Sequence, residues 1–345
     1  MAKRTDDERL ILEMFAYMRP TGSETEQLFI DRYLTPLGFQ RDPFNNLVVT
    51  VGDNPRILWS SHVDTVHSNE GIQTLHYDGE FLELSKGAKK TSNCLGADDT
   101  AGIWLMTEMI KAGVPGVYVI HDAEESGCIG SGKLAQGNPA FFDGIDVAVA
   151  FDRYGYNSVI THQMGRRCCS EAFSASFTAA LDAAFGASTD YKSDDGGSYT
   201  DTNEYTSLVP ECTNISVGYF SQHGRSESQN VPFLIKLRDL MVTADFSNLV
   251  IERDPSVVES LYGGRGWAWA FRDNDRAGSG YDLRDPWDDP DNYTAFRDVR
   301  SQDSLEELVR HYPDVAAQVL QAYGLTRTTF MDEISEVYGE MALAY

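Results

Sequence analysis

Short, nearly unbroken apolar runs punctuate the first 250 residues, at 47–51, 56–60, 117–121, 147–151 and 214–219. Several are apolar at almost every position, the pattern of central strands covered on both faces. Between the second and third runs, residues 100–113 read as a helix that stops at Gly113. Strand, helix and strand in that order predict a right-handed crossover in a mainly parallel sheet. The opening MAKRTDDERLILEMF predicts an amphipathic helix. Ser23-Glu-Thr-Glu26 is a capping box ahead of QLFIDRYLTPL, and Gly38 stands where that helix should end. The expected fold class is α/β: a single, mainly parallel or mixed, twisted sheet flanked by helices, followed by a C-terminal extension rich in loop and helix.

Past about residue 250 the periodicity is lost. Glycine, tryptophan and acidic residues mix through GGRGWAWAFRDNDRAGSGYDLRDPWDDPDNY, a stretch that predicts a long loop or extended arm. Ser304-Leu-Glu-Glu307 is another capping box, and helices are expected at 314–323 and 328–342. The expected organisation is a main domain over 1–250, an irregular acidic arm with aromatic residues over 251–303, and a helical segment over 304–345. Trp267, Trp269, Phe271 and Trp287 are expected to pack on the main domain rather than to form a binding surface. No internal repeat is visible.

Composition narrows the function. A chain of 345 residues can bury a full core, and 42% hydrophobic with 23% charged content is that of a soluble globular protein. No run approaches the roughly 18 apolar residues of a spanning helix, and the N-terminus lacks a signal-peptide pattern, so a cytoplasmic location is expected. Lys and Arg total 28 against 53 Asp and Glu, a formal net charge of −25. That charge repels phosphate backbones and anionic lipid, which removes nucleic acid and membranes as expected partners. Excess acid mostly serves solubility, and only its placement can point to cation binding. The five cysteines are odd in number and unpaired in spacing, so they are expected as reduced, mostly buried thiols, Cys128 included.

Placement does single out a subset of the acids. The run at 56–60 leads to His62 and Asp64, the run at 117–121 to Glu124 and Glu125, the run at 147–151 to Asp152, and the run at 214–219 to His223. Asp98 lies at the start of the crossover helix. In open α/β sheets ligands bind beyond the carboxyl ends of the strands, so these side chains should converge. Imidazole and carboxylate are a donor set that zinc accepts without thiolate, and one carboxylate can bridge two ions. In this reading His62, Glu125, Asp152 and His223 are terminal ligands of two metal ions and Asp98 bridges them. Asp64, two residues beyond His62, can orient the imidazole. Of the adjacent Glu124 and Glu125, one can bind metal while the other moves protons. Taken singly, each histidine is more often an ordinary one and Asp98 more often a helix cap; five positions of the right type in the right topological place are not readily coincidence. His67, His76 and His311 read as surface or loop residues, His121 as a strand residue, and His162 as structural.

At these residues the sequence resembles the co-catalytic zinc exopeptidases, the group that holds peptidase T, the bacterial leucyl aminopeptidases and glutamate carboxypeptidase. The matching pieces are HVDTV at 62–66, GADDTAG at 96–102, AEESG at 123–127, FDR at 151–153 and HGRSE at 223–227. The resemblance covers roughly residues 6–240. It implies that His62, Asp98, Glu125, Asp152 and His223 hold two zinc ions, with cobalt or manganese as possible substitutes. It also implies that Glu124 is the general base, that Asp64 supports His62, and that a cis peptide joins Asp98 to Asp99. Two departures stand out. Thr100 replaces the lysine of peptidase T and its relatives, and only 71 positions separate Asp152 from His223 (223 minus 152), too few for those relatives' lid domain. The chain is therefore more similar to the compact, lidless aminopeptidases.

Without a lid, substrate contacts are expected from elsewhere: Tyr199, Asp201 and Tyr205, with the two hydroxyls as candidates for the oxyanion. Arg166, Arg167 and Arg225 are expected on the solvated surface, with contact to a substrate carboxylate as the alternative. The expected activity is hydrolysis of short peptides, as an aminopeptidase. Carboxypeptidase, N-acyl amino acid deacylase or glutaminyl cyclase-like activity on the same scaffold, and an inactive binding or structural relative, are the alternatives. Oligomeric state is not legible.

Overall fold

The apolar runs become strands of one eight-stranded sheet in a computed structural model that describes residues 4–259. In chain order the strands are β1 (Gln40–Arg41), β2 (Leu47–Val51), β3 (Ile57–His62), β4 (Gly116–His121), β5 (Val147–Arg153), β6 (Ser158–Ile160), β7 (Lys192–Asp194) and β8 (Glu211–Ser216). Across the sheet the order is β7-β6-β8-β5-β3-β4-β2-β1. The four central strands β8, β5, β3 and β4 are mutually parallel, while β2 joins β4, β1 joins β2, and β6 joins β8 antiparallel. The sheet is thus mixed around a parallel centre, and its parallel strands share one carboxyl edge.

The helices are α1 (Asp6–Met14), α2 (Glu24–Phe29), α3 (Ala97–Lys111), α4 (Ile129–Gly137), α5 (Glu171–Phe185) and α6 (Val231–Thr243). Alternate residues of each central strand face opposite ways. Trp59, Tyr118, Ile120, Val149 and Phe151 enter a large core with the buried residues of α3 and α6. Leu58, Val119 and Ala148 enter a second core with Leu134, Phe142 and Tyr205. Both faces being dry is what makes the runs apolar at consecutive positions. Burying each large side chain contributes about 1.5–3 kcal/mol against chain entropy.

The capping boxes differ in outcome. Thr5 and Glu8 close a complete box on α1. Ser23 caps α2 by accepting from Glu26 N at 3.1 Å, but the Glu26 carboxylate turns to Gly22 N at 2.8 Å. Pro36 has no N–H for a helical bond, and the chain passes through a π turn and a 3-10 turn before Gly38 ends it at φ 89°.

One expected strand is corrected. The run at 214–219 splits: β8 ends at Ser216, Gly218 turns at φ 90°, and Tyr219–Phe220 joins a separate four-stranded sheet with Ser228–Asn230, Phe81–Leu84 and Leu75–Tyr77. Helices α4, α5 and α6 were not anticipated by pattern. Among the described residues no helix is long and apolar enough to cross a membrane, and all five cysteines are free and buried. The expected aromatic arm from residue 260 on, the helices at 314–323 and 328–342, and His311 lie outside the described residues.

Candidate metal centre

The parallel strands and α3 deliver their acids and histidines to one place. His62 is the last residue of β3 and Asp152 the penultimate residue of β5. Glu124 and Glu125 follow β4 by way of Ala123, whose φ of 57° breaks the strand direction. Asp98 sits where helical geometry is interrupted at the head of α3, and the peptide between Asp98 and Asp99 is cis. His223 comes from the loop of the small sheet, with φ 63°.

The Asp98 carboxylate stands between the two imidazoles: its Oδ1 is 3.0 Å from His62 Nε2 and its Oδ2 is 3.1 Å from His223 Nε2. Asp152 Oδ1 lies 3.9 Å from His62 Nε2, and Glu125 Oε1 lies 3.2 Å from His223 Nε2. Donor atoms within 4.8 Å of one another form three overlapping sets: His62–Asp98–Asp152 and Asp98–Glu125–His223, which share Asp98, and His62–Glu124–Glu125. Glu124 Oε2 is 4.0 Å from His62 Nε2, and the Cys128 thiol donates to Glu124 Oε1 at 3.4 Å.

Supporting residues fix these groups. His62 Nδ1 is 3.0 Å from the Asp64 carbonyl and 3.5 Å from its carboxylate. Both are acceptors, so Nδ1 carries the proton and Nε2 is the nitrogen left for a ligand. Asp64 also accepts from the Glu124 and Glu125 amides at 3.0 and 3.3 Å and from the Thr21 hydroxyl at 2.7 Å. Asp152 is held by Thr200 Oγ1 at 2.7 Å and Tyr219 OH at 3.1 Å.

The electrostatics fit a cation pair. Burial pushes the carboxyl groups of Glu124, Glu125 and Asp152 up, with neighbouring acids adding to it. Burial alone would push His62 down, but Asp152, Asp64 and Asp98 overcome it and raise His62 well above its ordinary value. Asp98, despite burial, is held low by His223 and His62. Glu125 Oε1 is buried and makes no hydrogen bond although it faces His223. A nitrogen and oxygen donor set with no thiolate, and acids crowded beyond what two histidines neutralise, together suit divalent ions.

The substrate candidates fare differently. Asp201 is buried, accepts from Ser131 Oγ at 2.5 Å, and is pushed well up by burial, with His62, Asp152 and Asp64 among its charged neighbours. Tyr205 is fully buried, and its hydroxyl lies 2.6 Å from His121 Nε2. Tyr199 is half-buried with its hydroxyl on the Glu204 carboxylate. Arg167 pairs with Glu259 at 2.9 Å. His67 is corrected, being buried between Thr65 Oγ1 at 2.7 Å and Gln73 Oε1 at 3.2 Å, whereas His76 is exposed.

Two residues escaped sequence reasoning. Glu227, the last residue of HGRSE, is buried and accepts from four consecutive amides: Leu95 at 2.8, Gly96 at 2.9, Ala97 at 2.9 and Asp98 at 3.2 Å. It fixes the loop that presents Asp98. Arg19 is fully buried behind the same loop. Glu227 was within reach as the acid four residues after His223; Arg19 had no signal.

No protein-family profile and no curated protein matches this sequence. Solved structures do match in three dimensions. The aminopeptidase PepT of Bacillus cereus ATCC 10987 aligns with a TM-score of 0.57 and 14% identity over 69% of this chain and 96% of that one. This chain has the fold of that peptidase. A tripeptidase of Staphylococcus aureus subsp. aureus Mu50 gives 0.54 and 17% over 70% and 98%, and the TET1 peptidase of Pyrococcus horikoshii gives 0.50 and 15% over 68% and 98%. The sheet flanked by helices expected from the apolar runs is the fold these solved structures share with this chain.

Proposed function

We propose that the chain is a dinuclear zinc-dependent exopeptidase, most specifically an aminopeptidase acting on short peptides. The observation that carries this reading is the Asp98 carboxylate with one oxygen on each of two imidazoles, flanked by Asp152 on one side and Glu125 on the other. His62, Asp98 and Asp152 would hold one ion, and Asp98, Glu125 and His223 the other. Zinc bound there would polarise the scissile carbonyl and acidify a water. Glu124 takes the proton from the attacking water and returns it to the leaving amine. Asp64 fixes the His62 tautomer and, through the two amides it accepts, the position of Glu124. Thr200 and Tyr219 keep Asp152 aimed inward.

The preference for an amino terminus rests on charge: the crevice is lined by acids, which suit a free ammonium group, whereas a carboxypeptidase needs a cationic anchor. Free, buried cysteines agree with a reducing, cytoplasmic setting. The catalytic unit lies within residues 1–250, and the short path from Asp152 to His223 favours the compact, lidless type.

The test combines metal analysis with a substrate panel. Purified protein should carry two zinc ions per chain and hydrolyse aminoacyl dipeptides and tripeptides in preference to N-acyl amino acids or peptides offered with a blocked amine. Glu124→Gln should lower kcat by at least about a hundredfold while both ions remain bound. Turnover retained in that variant removes Glu124 from the base role, and activity confined to N-acyl substrates converts the reading to a deacylase.

A further inference from the structure

Arg19 occupies an unusual place. Its side chain is fully buried, with the guanidinium carbon 4.0 Å above the Phe29 ring. Nε donates to the Val63 carbonyl at 2.8 Å, and Nη2 donates to Thr100 Oγ1 at 3.0 Å. Val63 is the residue between His62 and Asp64; Thr100 is two residues beyond Asp98. One planar, permanently charged group therefore ties the end of β3 to the head of α3, the two segments whose side chains meet at the 3.0 Å contact between His62 and Asp98.

Fold stability alone does not account for an arginine here. Nη1 is buried without a hydrogen-bond partner, and a guanidinium moved from water into the interior is costly unless its charge is used. An apolar side chain of similar length would pack against Phe29 at lower cost. The Arg19 charge is met from two sides: Glu26 of α2 is its strongest charged neighbour, and Asp99 and Asp64, both buried next to the candidate ligands, follow.

We propose that Arg19 is a positioning residue of the metal centre, clamping the His62 and Asp98 segments at bridging distance and supplying the fixed positive charge behind the ligands. The inference rests on the dinuclear reading above. The Thr100 hydroxyl is the α3 atom that Arg19 contacts, so a lysine at 100 would bring a cation to the same place from the other segment.

The experiment measures zinc affinity by competition with a chelating indicator for wild type, Arg19→Met, Arg19→Lys and Arg19→Met/Thr100→Lys, each first shown to be folded by circular dichroism. Arg19→Met should weaken zinc binding by about 10- to 100-fold. Arg19→Lys should weaken it too, since one ammonium cannot reach the Val63 carbonyl and Thr100 while stacking on Phe29. The double variant, which places an ammonium where the guanidinium was, should recover much of the lost affinity. Wild-type affinity in either folded single variant overturns the inference, and so does a double variant that regains thermal stability without regaining zinc affinity. If Arg19→Met does not fold, Arg19→Lys carries the comparison. A wild-type protein that binds no zinc fails the dinuclear reading instead, a result separable from any effect of Arg19.

Discussion

Glu227 shows how one side chain can organise a ligand it never touches through its own side chain. Its two oxygens accept four consecutive amides that end at Asp98, so the bridging carboxylate is presented by a loop wrapped around a buried acid. Burial and Asp98 push Glu227 up to about 7, against the pull of the amides. Replacing it by glutamine keeps the shape but turns one acceptor into a donor that faces amide donors. Glu227→Gln should therefore cost about 2–3 kcal/mol in urea unfolding at pH 8 and weaken zinc binding as the Asp98 loop loosens. A variant with wild-type midpoint and affinity would show that the loop holds itself. The convergence of His62, Asp98, Glu124, Glu125, Asp152 and His223 was legible in the sequence because histidine and carboxylate beyond the ends of parallel strands are topologically constrained. Glu227 and Arg19 were not, because their partners are backbone groups and a distant hydroxyl, which leave no residue-type signature.

Helix α3 must come very close to the sheet to bring Asp98 over the strand ends, and Gly102 is what permits it. A Cβ at 102 would stand 2.5 Å from Asp99 Oδ1, 2.5 Å from Ser61 Oγ and 2.6 Å from the Phe151 carbonyl oxygen. Two of those neighbours are buried polar atoms at the site and the third is backbone of β5, so none can yield freely. Gly102→Ala gains helix propensity yet should destabilise by about 1–3 kcal/mol through overpacking. It should also lower zinc affinity, because the helix can retreat only by carrying Asp98 away from His62; a more stable Gly102→Ala protein would reverse this account. Elements were legible in proportion to their burial. The central strands announced themselves because both faces are dry, and α3 because it joins two of them. The small sheet was missed, since strands of two to four residues are too short for alternation to register, and that is why His223 was assigned to the end of β8 rather than to the small sheet's loop. Helix α5 is alanine-rich, with an apolar stripe that periodicity separates poorly from its small residues.

At the scale of the whole molecule, 53 acids against 28 basic residues make the protein dependent on how its buried charge is neutralised. Consider the metal-free protein between about pH 7 and pH 9. Burial pushes His67 down to about 4 and His121 to about 3, so both are neutral when folded; unfolded they keep about a quarter of a proton each at pH 7 and almost none by pH 8, a small opposing slope confined to the lower end of the range. His62 and His223 behave oppositely: burial's downward push is overcome, by Asp152, Asp64 and Asp98 for the first and by Asp98 and Glu125 for the second, raising His223 to about 12. Glu124 is raised well above its ordinary value by burial and adds in the same direction. Unfolded glutamate has released its proton by pH 7, and unfolded histidine about three-quarters of its own by pH 7 and nearly all by pH 8, so the folded, metal-free state binds more protons at these groups than the unfolded state. Stability conferred by groups with raised values is present at lower pH and is lost as pH rises, by up to about 1.4 kcal/mol per pH unit for each proton held. Zinc bound at the proposed site would reverse this dependence, because it would bind the deprotonated side chains in place of the protons, and its stabilisation would grow with pH. Urea midpoints measured at pH 7, 8 and 9 should fall steadily in the presence of a chelator and stay level or rise with saturating zinc, so that the gap between the two series widens. A gap that stays constant across the three values would mean that protons and metal do not compete for these side chains, and the paired-ion reading of the site would fail with it.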